Sequence, residues 1–306
     1  MQVKMRGLAT ALIILIALTG CSQNQGASVI SINSANPVLL EQSGSSIKLR
    51  VIALANGTAE IVSALGFKST LIGRDIASTD ADLANIPIVN SGHQIIAEKV
   101  ISLAPDLVLI DASSGPASAI ASIRKAGISI SMITESWTLS DIARKVGDVA
   151  DALGAPERGV ELNATMAQQL ASITPAQSSK AKIAFLYLRG TSAIYLMGGK
   201  GSGADALIAA AGGVDVGATT LPNPFNSMTS EVLATSNPDI LLLMTKGLES
   251  VGGKEALLAL PGIAQTSAGK AQRIITVDDS LLLSFGPRTP NLVLKLHKAI
   301  DQVLAQ

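Results

Sequence analysis

Apolar positions along the 306-residue chain fall into short runs and helical stripes that alternate. "LRVIALA", "STLIGRD", "DLVLID", "ISISMIT", "KIAFLYL", "AIYLMG" and "DILLLMT" are runs of strand length. Apolar on both faces, as "DLVLID" and "DILLLMT" are, they fit buried strands of parallel sheets. Between them lie stripes with a period near 3.6: "NGTAEIVSALG", "IIAEKVISLAP", "TLSDIARKVGDVADALG", "SGADALIAAAGG" and "MTSEVLATSNP". Asn56 or Thr58 suits the start of the first helix, and Gly66 its end. The last helix is "TPNLVLKLHKAIDQVLAQ", with Pro290 in its first turn. The pattern predicts an α/β chain with central parallel sheets.

One segment divides this alternation. Between Gly159 and Thr174 there is no glycine or proline. Val160, Leu162, Met166, Leu170 and Ile173 recur every three or four residues, so residues 154–176 read as a long amphipathic helix. Similar strand–helix units lie on either side. We therefore expect two α/β lobes, residues 47–153 and 177–306, joined by this helix. A correspondence between the halves supports this. Glu98 lies seven residues before Pro105 and Glu231 seven before Pro238. Each proline is followed by aspartate and an apolar strand, and each glutamate sits in a first helical turn, where the helix dipole favours it.

The N-terminus departs from the pattern. Lys4 and Arg6 precede the apolar "LATALIILIAL", then "LTGC", whose Cys21 is the only cysteine. The apolar run is short for a span of roughly 17–25 residues. It resembles a bacterial lipoprotein signal: residues 1–20 would be removed and Cys21 lipidated. Residues 21–46, rich in Ser, Asn, Gln and Gly, are expected to be a flexible tether. The fold would stand without a disulfide.

Composition narrows the chemistry. Charged residues are 15% and the formal net charge is zero, with no basic block, which argues against a nucleic-acid surface. Zinc-type His/Cys spacings, a phosphate loop and a nucleophile elbow are absent from the sequence. Aromatics are only 2%, which draws attention to Trp137, Tyr187, Tyr195 and Phe225. The chain has two histidines: His297 lies within the last helix, and His93 in the glycine-flanked "NSGHQI". The other lobe offers "YLRGTSAIY". Histidine and tyrosine both serve as axial ligands of haem iron, and arginine pairs with carboxylates.

These residues, with "GRD", "ISLAPDLVLIDASSGP", "GSGADALIAAAGGVD" and "NPDILLLMTKGLESVGG", resemble the haem-binding lipoproteins of bacterial haem ABC importers, within the metal-chelate and vitamin B12 substrate-binding family. The resemblance covers most of the mature chain. It implies two Rossmann-like lobes joined by one long backbone helix, a monomer with limited hinge motion, no catalytic activity, and ferric protoporphyrin IX as transported ligand. It implies an extracytoplasmic domain held at the cell membrane through Cys21, docking by Glu98 and Glu231 on permease subunits with their cytoplasmic ATPase. Glu249 is the fallback in the second lobe. His93 matches the axial histidine, Tyr195 the opposing tyrosine and Arg189 its neighbour; Tyr187 and Met197 remain rivals for the second ligand. Other members use a tyrosine near the position of Asp80, where this chain has none. Ferric siderophore or cobalamin binding is the alternative within the family, and an exported enzyme the alternative outside it.

Overall fold

The buried apolar runs become the inner strands of two sheets. The computed structural model describes residues 29–42, 48–91, 94–173 and 180–306. In chain order its strands are β1 (Ile30–Ile32), β2 (Val51–Ala53), β3 (Leu71–Arg74), β4 (Asn90–Ser91), β5 (Gln94–Ile95), β6 (Leu107–Ile110), β7 (Ser129–Met132), β8 (Lys182–Arg189), β9 (Ile194–Gly198), β10 (Val214–Asp215), β11 (Phe225–Ser227), β12 (Ile240–Met244) and β13 (Ile274–Val277). The first lobe carries a parallel sheet ordered β3-β2-β6-β7. The second carries β1-β13-β12-β8-β9-β11, with β10 also beside β8. β4 and β5 form a small antiparallel pair. Every residue of β12 is fully buried, as a central strand covered on both faces requires.

The second sheet is mixed, where parallel strands alone were expected. β8 pairs β9 antiparallel, and β9 pairs β11 antiparallel. The cause is the connection: only Gly190 to Ala193 separate β8 from β9, too few for a parallel crossover and enough for a hairpin.

The chain also enters the fold earlier than the composition of residues 21–46 suggested. Ile30–Ile32 pairs in parallel with β13, Ile32 is buried, and the Thr276 hydroxyl donates to Ser31 Oγ at 2.9 Å. Ala35 and Val38 are buried too. Within this strand Ile32 points inward while Ser31, on the alternate face, is exposed.

The helices follow their stripes. Leu139–Ala152 begins at a capping box between Thr138 and Asp141 and buries Ile142, Val146 and Val149. Pro156–Ala171 starts on a proline at its first turn. It is shorter than the expected 154–176 at both ends, and residues 174–179 lie outside the described residues. Among the described residues no helix is long and apolar enough to cross a membrane.

Strand alternation sorts the core into three layers. Val51, Ala53, Leu107 and Leu109 of the first sheet share one cluster with Ile183, Phe185, Leu242 and Met244 of the second. The alternate residues face away: Ile52, Leu54, Val108 and Ile110 in one lobe, Ala184, Leu186, Leu188, Leu241 and Leu243 in the other.

Polar contacts reinforce the shared layer. The helix Asp279–Ser284 and the turn after it belong by sequence to the second lobe but pack on the first. Lys145 Nζ donates to the Ser284 carbonyl at 2.7 Å, Asn56 Nδ2 to the Leu283 carbonyl at 3.1 Å, and Arg288 forms a two-pronged ion pair with Glu60 at 2.8 and 2.5 Å. Gly57 holds φ +72° here, and a β-carbon would stand 3.0 Å from the Ser284 carbonyl oxygen. A side chain at that position would therefore meet both backbone strain and the opposite lobe.

Candidate functional site

Parallel strands collect loops at their C-terminal ends, and crevices form there. Here the ends of β2, β3, β8, β12 and β13 border a cavity of about 330 Å³. From the first lobe come Leu54, Asn56, Asp75, Ile76, Ala77 and Trp137. From the second come Arg189, Lys246, Asp278, Asp279 and Leu283. A smaller cavity of about 210 Å³ adjoins it, sharing Asn56, Trp137 and Leu283 and adding Asp111, Ser113, Glu135 and Lys145.

The two walls differ in chemistry. Ile76 is 50% exposed and Trp137 43% exposed, an apolar wall open to a ligand. The facing wall is charged. Arg189 Nη2 donates to Asp279 Oδ2 at 3.1 Å, and the guanidinium lies 4.7 Å over the Tyr187 ring. Asp278 caps the helix that begins at Asp279, accepting from the Ser280 and Leu281 amides. Asp75 accepts from the Ala77 and Ser78 amides and the Ser78 hydroxyl. Burial pushes its carboxyl up to about 6, against those hydrogen bonds. Lys145 is pushed down to about 8 by burial, with Asp75 and Asp111 opposing.

The alternation of β8 and β9 decides which aromatic belongs to this wall. Tyr187 and Arg189 are two apart on β8 and share a face. Tyr187 packs on the shared inner cluster and meets Phe225 edge-on at 5.6 Å. Tyr195 pairs with Leu188 and Met197 with Leu186, and all four belong to the outer cluster of the second lobe. So Tyr195, the sequence's first choice for the second ligand, and Met197, its rival, lie on the face away from Arg189. The "RGTSAIY" spacing brings Tyr195 next to Arg189 in sequence, while the hairpin register turns it to the other side. Tyr187 does not itself line the cavity; Arg189 stands between them.

His93 lies outside the described residues, as does Cys21. β4 ends two residues before His93 and β5 begins at the residue after it, and Asn90 of β4 lines the cavity. Among the described residues no group of three or more His, Cys, Asp or Glu side chains could hold a metal ion. His297 lies apart, its ring nitrogen 3.1 Å from the Ala211 carbonyl. Glu98 and Glu231 are exposed in the first turns of Ala97–Ser102 and Ser230–Ser236. Each helix leads into a central strand, β6 or β12.

Sequence reasoning passed over Asp279, Lys246 and Asp75. Their signal is position: each lies within two residues of the end of a buried strand, where a sheet of this type offers side chains to a ligand.

Comparison with known proteins agrees with this architecture. The periplasmic haem-binding protein RhuT from Roseiflexus sp. RS-1, in apo form, is 35% identical, with 84% of this chain and 99% of that one covered and a TM-score of 0.77. The haem-binding protein HmuT is 32% identical over 90% of this chain and 91% of its own, with a TM-score of 0.73. HmuT is also solved as alanine variants of a tyrosine, of an arginine two residues after it, and of a histidine earlier in its chain. The ABC transporter substrate-binding lipoprotein YvrC of Bacillus subtilis strain 168, itself uncharacterized, is 26% identical over 82% of this chain and 79% of its own. The model of the periplasmic binding protein family matches residues 51–281, most of the chain and both walls of the cleft, and the chain belongs to that family.

Proposed function

We propose that this protein is a haem receptor: it captures ferric protoporphyrin IX outside the cytoplasm and delivers it to the permease of an ABC importer, without turnover. One observation carries the reading. A cleft with an apolar wall and an Arg189–Lys246 wall suits a flat, apolar ring bearing two carboxylates, in a chain that matches two haem-binding proteins over most of its length.

The iron is bound by His93 from the first lobe and a tyrosine from the second. Arg189 supports that tyrosine or takes a propionate. Tyr187 takes the role that the sequence analysis assigned to Tyr195. Two observations favour it: it shares the Arg189 face, and its two-residue distance to Arg189 equals that of the tyrosine and arginine replaced in HmuT. A phenolate is an anionic ligand suited to ferric iron. Ligands from opposite lobes link binding to lobe closure, with the helix Pro156–Ala171 as the backbone between the lobes. Glu98 and Glu231 orient the loaded receptor on the permease by charge, and lipidated Cys21 keeps it at the membrane.

Titration of the purified protein with ferric haem tests the reading. A stoichiometric shift of the Soret band is expected. His93→Ala and Tyr187→Phe should each alter the spectrum and spin state of the bound haem, and Tyr195→Phe should leave them as in the wild type. Absence of a stoichiometric shift would refute haem as the ligand. A change with Tyr195→Phe and none with Tyr187→Phe would return the second ligand to Tyr195.

A further inference from the structure

The two cations of the cleft are not equivalent. Lys246 lines the cavity, and its ammonium has no hydrogen bond or ion pair among the described residues. Arg189 is engaged on three sides: Nη1 donates to the Leu188 carbonyl at 3.0 Å, Nη2 to Asp279 at 3.1 Å, and its plane covers Tyr187. The pair is part-buried, with the side chains 29% and 16% exposed, so it is screened less than a surface pair.

Asp279 does two separable things. Its Oδ1 accepts the Lys246 backbone N–H at 3.1 Å, which any neutral acceptor could do. Its charge acts on Arg189. The helix it begins does not depend on that charge, because Asp278 already caps the first amides. An acid in this position also repels an incoming anion, so for a receptor of carboxylated ligands it is a cost unless the pairing itself has a use.

We propose that Asp279 is a resident stand-in for a ligand carboxylate, which holds Arg189 over Tyr187 and competes with the ligand for it. This rests on the haem reading and adds to it how the cleft sets affinity for a carboxylate-bearing ligand. A propionate entering beside Lys246 exchanges one carboxylate partner of Arg189 for another, so the guanidinium is never left unpaired. Because the exchange is close to balanced, the ligand is held less tightly than an unguarded Arg189 would hold it. That suits a protein that must give up its cargo. A ligand without carboxylates leaves the Arg189–Asp279 pair closed and is indifferent to the charge on Asp279.

The test compares ferric haem with its dimethyl ester, which has the same ring and iron and no free carboxylates. Both are titrated by Soret absorption against the wild type, Asp279→Asn, Asp279→Glu and Asp279→Ser. Asp279→Asn keeps the acceptor for the Lys246 amide and removes the charge; Asp279→Ser is the second neutral variant should the first fail to fold. Removing the charge should tighten haem binding about tenfold, the size of one partly desolvated charge contact, slow haem release, and leave the ester affinity unchanged. Asp279→Glu should stay near the wild type. The gain should vanish when Arg189→Met is added. Equal effects on haem and ester, or a gain that survives Arg189→Met, would overturn the proposal while leaving the haem reading intact. A wild type that binds neither ligand would overturn both.

Discussion

Removing Arg288 tests how the two lobes are held together. Its guanidinium grips Glu60 of the first lobe through two hydrogen bonds, and a third reaches Ser280 Oγ at 3.2 Å. The side chains are 6% and 1% exposed. In Arg288→Met the carboxylate would stay buried without its cation, which costs roughly 3–5 kcal/mol when the charge cannot escape. Glu60 can escape by taking a proton. Burial raises its carboxyl from 4.5 to about 7, with Arg288 opposing the rise. Because the folded value lies above the unfolded one, the stability this group contributes is complete below pH 4.5 and is lost as the pH rises through 7. Without Arg288 the carboxyl titrates higher still, so loss continues above pH 7 at about 1.4 kcal/mol per pH unit until the new pKa is passed. The variant should therefore lose about 2.5–3.5 kcal/mol at pH 8, the hydrogen bonds plus one pH unit above 7. At pH 5.5, where Glu60 is largely protonated in both proteins, the loss should be only about 1–2 kcal/mol, the value of the hydrogen bonds. Urea unfolding followed by circular dichroism at the two pH values measures this, and adding Glu60→Gln should recover most of the alkaline loss. A loss below about 1 kcal/mol at pH 8, or the same loss at both pH values, would refute a buried interlobe ion pair.

Two further outcomes concern the surface. Cys21→Ser should abolish lipid labelling and release the protein from the membrane fraction, with haem titration unchanged; labelling that persists would exclude Cys21 as the anchor. Glu98→Ala combined with Glu231→Ala should preserve haem affinity and lower uptake when the receptor is limiting, and unchanged uptake at matched protein level would remove both residues from docking.

Much of the scaffold was legible in the chain because it depends on short-range pattern. "DLVLI" and "DILLLM" are apolar at every position, and only a strand covered on both faces accommodates that. Thr138 with Asp141, and Pro156 and Pro290 in first turns, mark helix starts through backbone groups within a few residues. The placement of Arg189 at a strand end was also readable, as was its shared parity with Tyr187, since alternate residues of a strand face one way.

What tertiary structure alone decided are matters of register and of partners far apart in sequence. The face of Tyr195 depends on how β9 returns along β8 after a four-residue turn, and one residue of slip would have reversed it. β1 has too few residues to declare itself; it becomes a strand because β13, more than 240 positions away, offers an edge to pair with. Lys145 reads as an ordinary polar position of an amphipathic helix, yet it is buried against Ser284 and Phe285 of the other lobe. The same holds for Asp279, ninety residues from the arginine it holds. Local periodicity sets which element forms, because those interactions lie within one turn or one pleat. Which charge faces which across the cleft is set by how two separately patterned lobes pack, and no local pattern carries that information.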